Sequence, residues 1–185
     1  MRVSWLLTLA LVGACSPAER AADPPAEMAA DTLPAFRAWR LSAQGVGPLL
    51  AGMSAADAVL ATGGTLSVPP LMSPEQCDYA SWDAAPAGLT VMFEDGILVR
   101  VDVTAAGIAT AEGLEVGQSA ARADSLYAAV AVRSPHKYEE GEYLVVRPLA
   151  PTDTVHRLVV ELVGGSVKRF RVGRAPQVEY VEGCS

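Results

Sequence analysis

Leu89-Thr90-Val91-Met92-Phe93-Glu94-Asp95-Gly96-Ile97-Leu98-Val99-Arg100-Val101-Asp102-Val103 is the stretch that decides the fold. Two runs rich in β-branched and apolar residues flank Asp95-Gly96, the composition of an antiparallel hairpin. The strands are predicted over Leu89–Glu94 and Ile97–Val103. Side chains alternate between sheet faces, so the turn length sets which residues share a face. A two-residue Asp95-Gly96 turn mixes polar and apolar groups on both faces. A three-residue Glu94-Asp95-Gly96 loop instead gathers Leu89, Val91, Phe93, Ile97, Val99, Val101 and Val103 on one face. The three-residue loop is therefore expected. The opposite face, with Thr90, Met92, Leu98, Arg100 and Asp102, should be mixed and partly wet.

The pattern recurs downstream. Leu89, Val91, Gly96, Arg100 and Val103 match Leu158, Val160, Gly165, Arg169 and Val172, and Gly52-Met53-Ser54-Ala55-Ala56 matches Gly117-Gln118-Ser119-Ala120-Ala121. Ser54 and Ser119 suit helix N-caps, because a hydroxyl accepts the orphan N–H groups of a first turn. Helices are predicted over about Ala55–Thr62 and Ala120–Ala131, the first stopped by Gly63-Gly64 and the second by Ser134-Pro135. Further strands are predicted over Cys77–Trp82, Tyr143–Arg147, Arg157–Val163 and Val167–Val172. One more strand should precede each helix, near Arg40–Gly45 and Ala109–Leu114. Short helices over antiparallel strands with one apolar face define an α+β fold. The expected layout is two tandem repeats, 36–108 and 109–185, each a short helix packed on an antiparallel sheet.

The N-terminus reads as an export signal. Arg2 precedes an apolar run from Trp5 to Val12, too short for a spanning helix. Leu11-Val12-Gly13-Ala14-Cys15 resembles the cleavage and lipidation box of bacterial lipoproteins. The resemblance implies a signal peptide over 1–14 and acylation of Cys15, hence attachment to a membrane. With Ser16 rather than Asp after the cysteine, it implies the outer membrane, facing the periplasm, or the cell membrane in a host with no outer one. Residues 16–35 are Ala, Pro and acid with almost no large apolar side chain, so 15–35 is expected to be a lipidated, disordered tether. The chain carries a net charge of −7, more acidic still without Arg2, which argues against nucleic acid as a partner.

With Cys15 assigned to lipid, Cys77 and Cys184 remain as an even pair in an oxidising compartment, and a disulfide is expected. Zinc is a poorer account of them, because two isolated cysteines lack the ligand count.

Gly52-Met53-Ser54 opening a helix, Tyr79 and Trp82 on the next strand, and the Leu89–Val103 hairpin together resemble the SmpA/BamE-type outer-membrane lipoproteins. In tandem they resemble the β-lactamase-inhibitor proteins. The resemblance covers about half of the chain. It implies a binding platform, supporting outer-membrane β-barrel assembly in one family and inserting loops into an enzyme in the other.

The chain contains no G-x-S-x-G, H-E-x-x-H, C-x-x-C or phosphate-binding glycine loop, and nothing in it calls for a cofactor or metal. The histidines are His136, in a turn beside Lys137, and His156, three residues after Asp153. Glu139, Glu140 and Glu142 lack the alternation of a calcium loop. Lys168, Arg169, Arg171 and Arg174, with Arg100 on the earlier hairpin, are the sharpest charge contrast in an acidic chain. Guanidinium clusters hold carboxylates or phosphates bidentately, so these five form a candidate binding patch. The competing reading is a charged edge strand protected from aggregation. The expected function is a non-enzymatic envelope scaffold that binds another envelope protein. Two alternatives are an inhibitor or ligand-binding module for a periplasmic enzyme, and a hydrolase using one of the two histidines.

Overall fold

The computed structural model describes residues 36–69, 77–148 and 150–184, apart from the side chain of Arg37. Cys15, the signal and the tether lie outside the described residues. The elements run β1 Arg40–Ser42, β2 Gly45–Val46, β3 Leu49–Leu50, α1 Ala55–Ala61, β4 Cys77–Tyr79, β5 Leu89–Glu94 and β6 Ile97–Val103. They continue with β7 Ala109–Thr110, α2 Ala120–Tyr127, β8 Ala131–Pro135, β9 Gly141–Val146, β10 His156–Val163 and β11 Ser166–Arg174. The fold is α+β and mostly strand. Seven strands form one sheet, in the order β4-β5-β6-β11-β10-β9-β8, and β3-β2-β1-β7 form a smaller one.

The β5–β6 hairpin has the predicted strands but not the predicted turn. Glu94 pairs with Ile97, leaving a two-residue Asp95-Gly96 turn with φ of 52° and 73°. Left-handed geometry at both positions is what a tight hairpin turn demands, and Gly96 adopts it without a Cβ penalty. A bulge corrects the facing problem: Phe93 pairs with Leu98 and Met92 with Arg100, so Val99 is the extra residue. Leu98 therefore joins Leu89, Val91, Phe93, Val101 and Val103 in the main core cluster, while Ile97 is only half-buried and Val99, though buried, lies outside that cluster.

The second hairpin is built alike. Gly164-Gly165 make a two-residue turn, and Lys168 is the extra residue between Glu161↔Arg169 and Leu162↔Val167. Each helix start docks on its hairpin in the same way. The N–H groups of Gly52 and Ala55 donate to Leu98 and Gly96, and those of Gly117 and Ala120 donate to Val167 and Gly165. Ser54 accepts from the Asp57 N–H and Ser119 from the Arg122 N–H, as N-caps should.

The hairpins join through β6 and β11, where Asp102 lies opposite Arg171, and Val101 and Val103 opposite Val172 and Phe170. Gly173, opposite Arg100, permits this approach, since a Cβ there would stand 2.1 Å from the Val99 carbonyl oxygen. The inner sheet face packs on Ala58 of α1, Ala123 and Tyr127 of α2, and Leu41, Val46 and Leu49 of the small sheet. The strands expected before each helix are short, and they pair with each other in parallel, Arg40 with Ala109 and Leu41 with Thr110.

Two corrections bear on function. The second helix ends at Tyr127, and Ala131, expected as its last residue, opens β8 instead. Val130 and Val132 explain this, because β-branched side chains fit an edge strand beside β9 better than a final helical turn. The basic strand β11 lies between β6 and β10, so it is an interior strand and not the expected edge.

Candidate functional site

The outer face of the large sheet was expected to be partly wet, yet Met92, Arg100, Asp102, Glu161 and Arg171 are buried there. The cause is the C-terminal segment. After the cis Ala175–Pro176 peptide the chain makes a 3-10 turn over Gln177–Glu179 and crosses the sheet as a strap. Val178 and Val181 pack with Tyr143, Val145 and Val159 in a second small core. Cys184 then bonds to Cys77 at the far edge, with Cα atoms 5.4 Å apart, so the expected pair is in place. Lys137 Nζ donates to Glu182 at 2.9 Å and ties the strap from the other side.

Charge under the strap is matched by position. Arg100 and Asp102 alternate along β6, so both side chains leave the same face. Arg100 donates to both Asp102 oxygens, at 2.8 and 2.6 Å, in a bidentate pair. Its remaining nitrogen donates to the carbonyls of Tyr180 (2.6 Å) and Gln177 (3.3 Å). Arg171 donates to the same Tyr180 carbonyl at 2.8 Å and stacks over the Tyr143 ring at 5.0 Å. Burial, then the nearby Arg100 charge, lowers the pKa of Arg171 from its ordinary value.

The five residues read as a patch therefore divide. Arg100 and Arg171 are brought together but covered by the strap. Arg169 stands 3.9 Å from Glu161, and Lys168 and Arg174 are exposed. Sequence reading missed Asp102, Glu161 and Tyr143. The available signal was the Arg100-x-Asp102 alternation, which places opposite charges side by side on one strand.

The histidines lie apart. His136 stacks on Tyr143 and accepts at Nδ1 from the Tyr138 and Glu139 N–H groups, and its Nε2 is 3.5 Å from Glu161. His156 Nδ1 lies 3.0 Å from both Asp153 oxygens. Among the described residues neither imidazole hydrogen-bonds a hydroxyl or thiol that would serve as a nucleophile.

Asp153 also accepts from the His156 N–H and from the Gln44 amide, fastening the β1–β2 turn to the start of β10. Burial pushes its carboxyl up, but the His156 N–H, the Gln44 amide and the His156 ring together bring it down to about 2, from 3.8. A depressed carboxyl stabilises the fold above its unfolded pKa, and that contribution is lost as pH falls through the folded value. Acid titration followed by circular dichroism should show stability declining from about pH 4 towards pH 2. In Asp153→Asn that part of the decline should be missing; an unchanged profile would refute the assignment.

Besides a concavity along the end of the strap, lined by Cys77, Glu94, Lys137 and Glu182 among others, two more adjoin these elements. One, about 300 Å³, lies between the strap and the sheet and is lined by Tyr143, Val145, Val159, Arg171, Glu179 and Val181, among others. The other, about 480 Å³, is a mostly apolar groove lined by Leu41, Leu126, Tyr127, Val130, Val146 and Leu158 among its residues. Beside it runs β8, one of the two edge strands of the large sheet, with Val132 61 % exposed and Val130, in the turn just before the strand, 46 % exposed. At the groove wall the Tyr127 hydroxyl is 2.5 Å from Glu112 and 2.8 Å from Thr110. Burial, then the Glu112 contact, raises its pKa above the ordinary tyrosine value.

No protein-family model, curated protein or solved structure matches the chain.

Proposed function

We propose that the protein is a non-catalytic lipoprotein, tethered to the outer membrane through Cys15, that binds another envelope protein at the β8 edge and its neighbouring groove. The observation that carries the reading is the open edge. β8 offers a row of backbone groups beside an apolar groove, and Val130, the residue just before the strand, stands in the groove wall. An extended partner segment adding to such an edge gains main-chain hydrogen bonds and seats alternate side chains in the groove. With the outer sheet face closed by the strap, this rim presents Val130 and Val132 to solvent, beside Arg133 and its ion pairs to Asp124 and Glu142.

The tandem arrangement belongs to the same proposal. The matched turns, bulges and helix docking support a duplicated helix-and-hairpin unit of the SmpA/BamE type, the two copies fused at β6–β11. The lipidation reading rests on the Leu11–Cys15 motif alone.

Val132→Glu is the direct test. The side chain is exposed, so stability should change by no more than about 0.5 kcal/mol, while a charge on the edge strand opposes added pairing. A photo-crosslinker at Val132 should capture a specific partner in intact envelopes. One at Leu60, 76 % exposed on α1, should not. Equal capture at both positions, or capture through the groove that is indifferent to Val132→Glu, would overturn the docking edge.

A further inference from the structure

The cavity between strap and sheet has the chemistry of a binding site. Its walls hold two buried polar groups without hydrogen-bond partners, the Tyr143 hydroxyl and the Arg171 Nε. Tyr143 is 6 % and Arg171 1 % exposed, so neither residue is served by open solvent. A buried donor left unmatched costs free energy that a suitable acceptor would return. The Arg171 guanidinium also sits near Arg100, and the two share one strap carbonyl, with the Asp102 and Glu161 carboxylates close by. Val145, Val159, Val181 and Pro135 supply an apolar part of the wall, Ser134 and Lys137 line it too, and the Glu179 carboxylate, 3.8 Å from Arg157 Nε, stands in the lining. A volume near 300 Å³ falls at the small end of ligand pockets, which start at roughly that size.

We infer that this cavity binds a small apolar α-amino acid or dipeptide. Its carboxylate meets Arg171 and the Tyr143 hydroxyl, its apolar side chain lies among the valines, and its ammonium faces Glu179. The lowered pKa of Arg171 agrees, since an anion there relieves both the burial and the repulsion from Arg100. The inference is independent of the β8 docking edge and survives the failure of that reading.

Calorimetric or NMR titration of the folded, oxidised protein tests it with three probes: leucine, N-acetyl-leucine and leucinamide. Leucine should saturate, N-acetyl-leucine should bind more weakly, and leucinamide, lacking the carboxylate, should not bind. Tyr143→Phe removes only a hydroxyl that has no partner, so the variant should fold as well as the parent. It should weaken leucine binding by about five- to tenfold. Absence of saturation by leucine at tens of millimolar, leucinamide binding as well as leucine, or identical affinity in Tyr143→Phe would each overturn the proposal.

Discussion

Asp102→Ala is expected to destabilise the fold by about 3–5 kcal/mol, the range for breaking a buried ion pair from one side. The reason lies in what remains. Arg100 is 1 % exposed and would keep its hydrogen bonds to Tyr180 and Gln177, but it would lose the carboxylate that neutralises it. Arg171, equally buried and sharing the Tyr180 carbonyl, would then face an unneutralised guanidinium. Removing both charges should be milder. In Arg100→Met with Asp102→Leu, Arg171 still serves the Tyr180 carbonyl and no longer meets a like charge, so most of the loss should be recovered. Chemical denaturation of both variants checks this. A single substitution no worse than about 1 kcal/mol would mean that water reaches the network.

The second large effect belongs to the disulfide. Cys77 and Cys184 are 107 residues apart, and closing such a loop stabilises by about 4–5 kcal/mol on the chain-entropy model. Replacing both by Ser should lower the melting temperature by roughly 8–20 °C, taking about 2–4 °C per kcal/mol for a domain of this size. The loss should be uneven. The bond latches the strap, so Val178 and Val181 should loosen before the inner core. Near-ultraviolet dichroism should register this at Tyr143, which the strap covers. A uniform loss with no early change at Tyr143 would mean that the strap is held without the latch.

The hairpin strands were legible because alternation, β-branched content and an Asp-Gly turn agree locally. The turn length was not, for a definite reason. Face counting assumes unbroken alternation, and the bulge at Val99 shifts parity by one residue without leaving a mark in composition. The same blindness hid Lys168. Arg100 and Arg171 were visible as cations, but their burial depends on carbonyls at Gln177 and Tyr180, which the folded chain brings from far along the sequence to Arg100. No window of sequence reports that. β8 was misread because the alanines after Ser119 sustain a helical pattern up to the point where pairing with β9 takes over. The cysteine pair was legible from counting, whereas the cavity and the groove arise only when strap, strands and helix end converge.

Amide hydrogen exchange of the oxidised protein tests most directly whether the two hairpins form one sheet closed by a latched strap. Amides across the β6–β11 seam, Val101–Val103 and Phe170–Val172, should share a single slowest class. Reducing the disulfide should release residues 177–180 while that seam stays protected. Exchange of β6 and β11 with separate opening energies, or free exchange at 177–180 with the disulfide intact, would contradict the account.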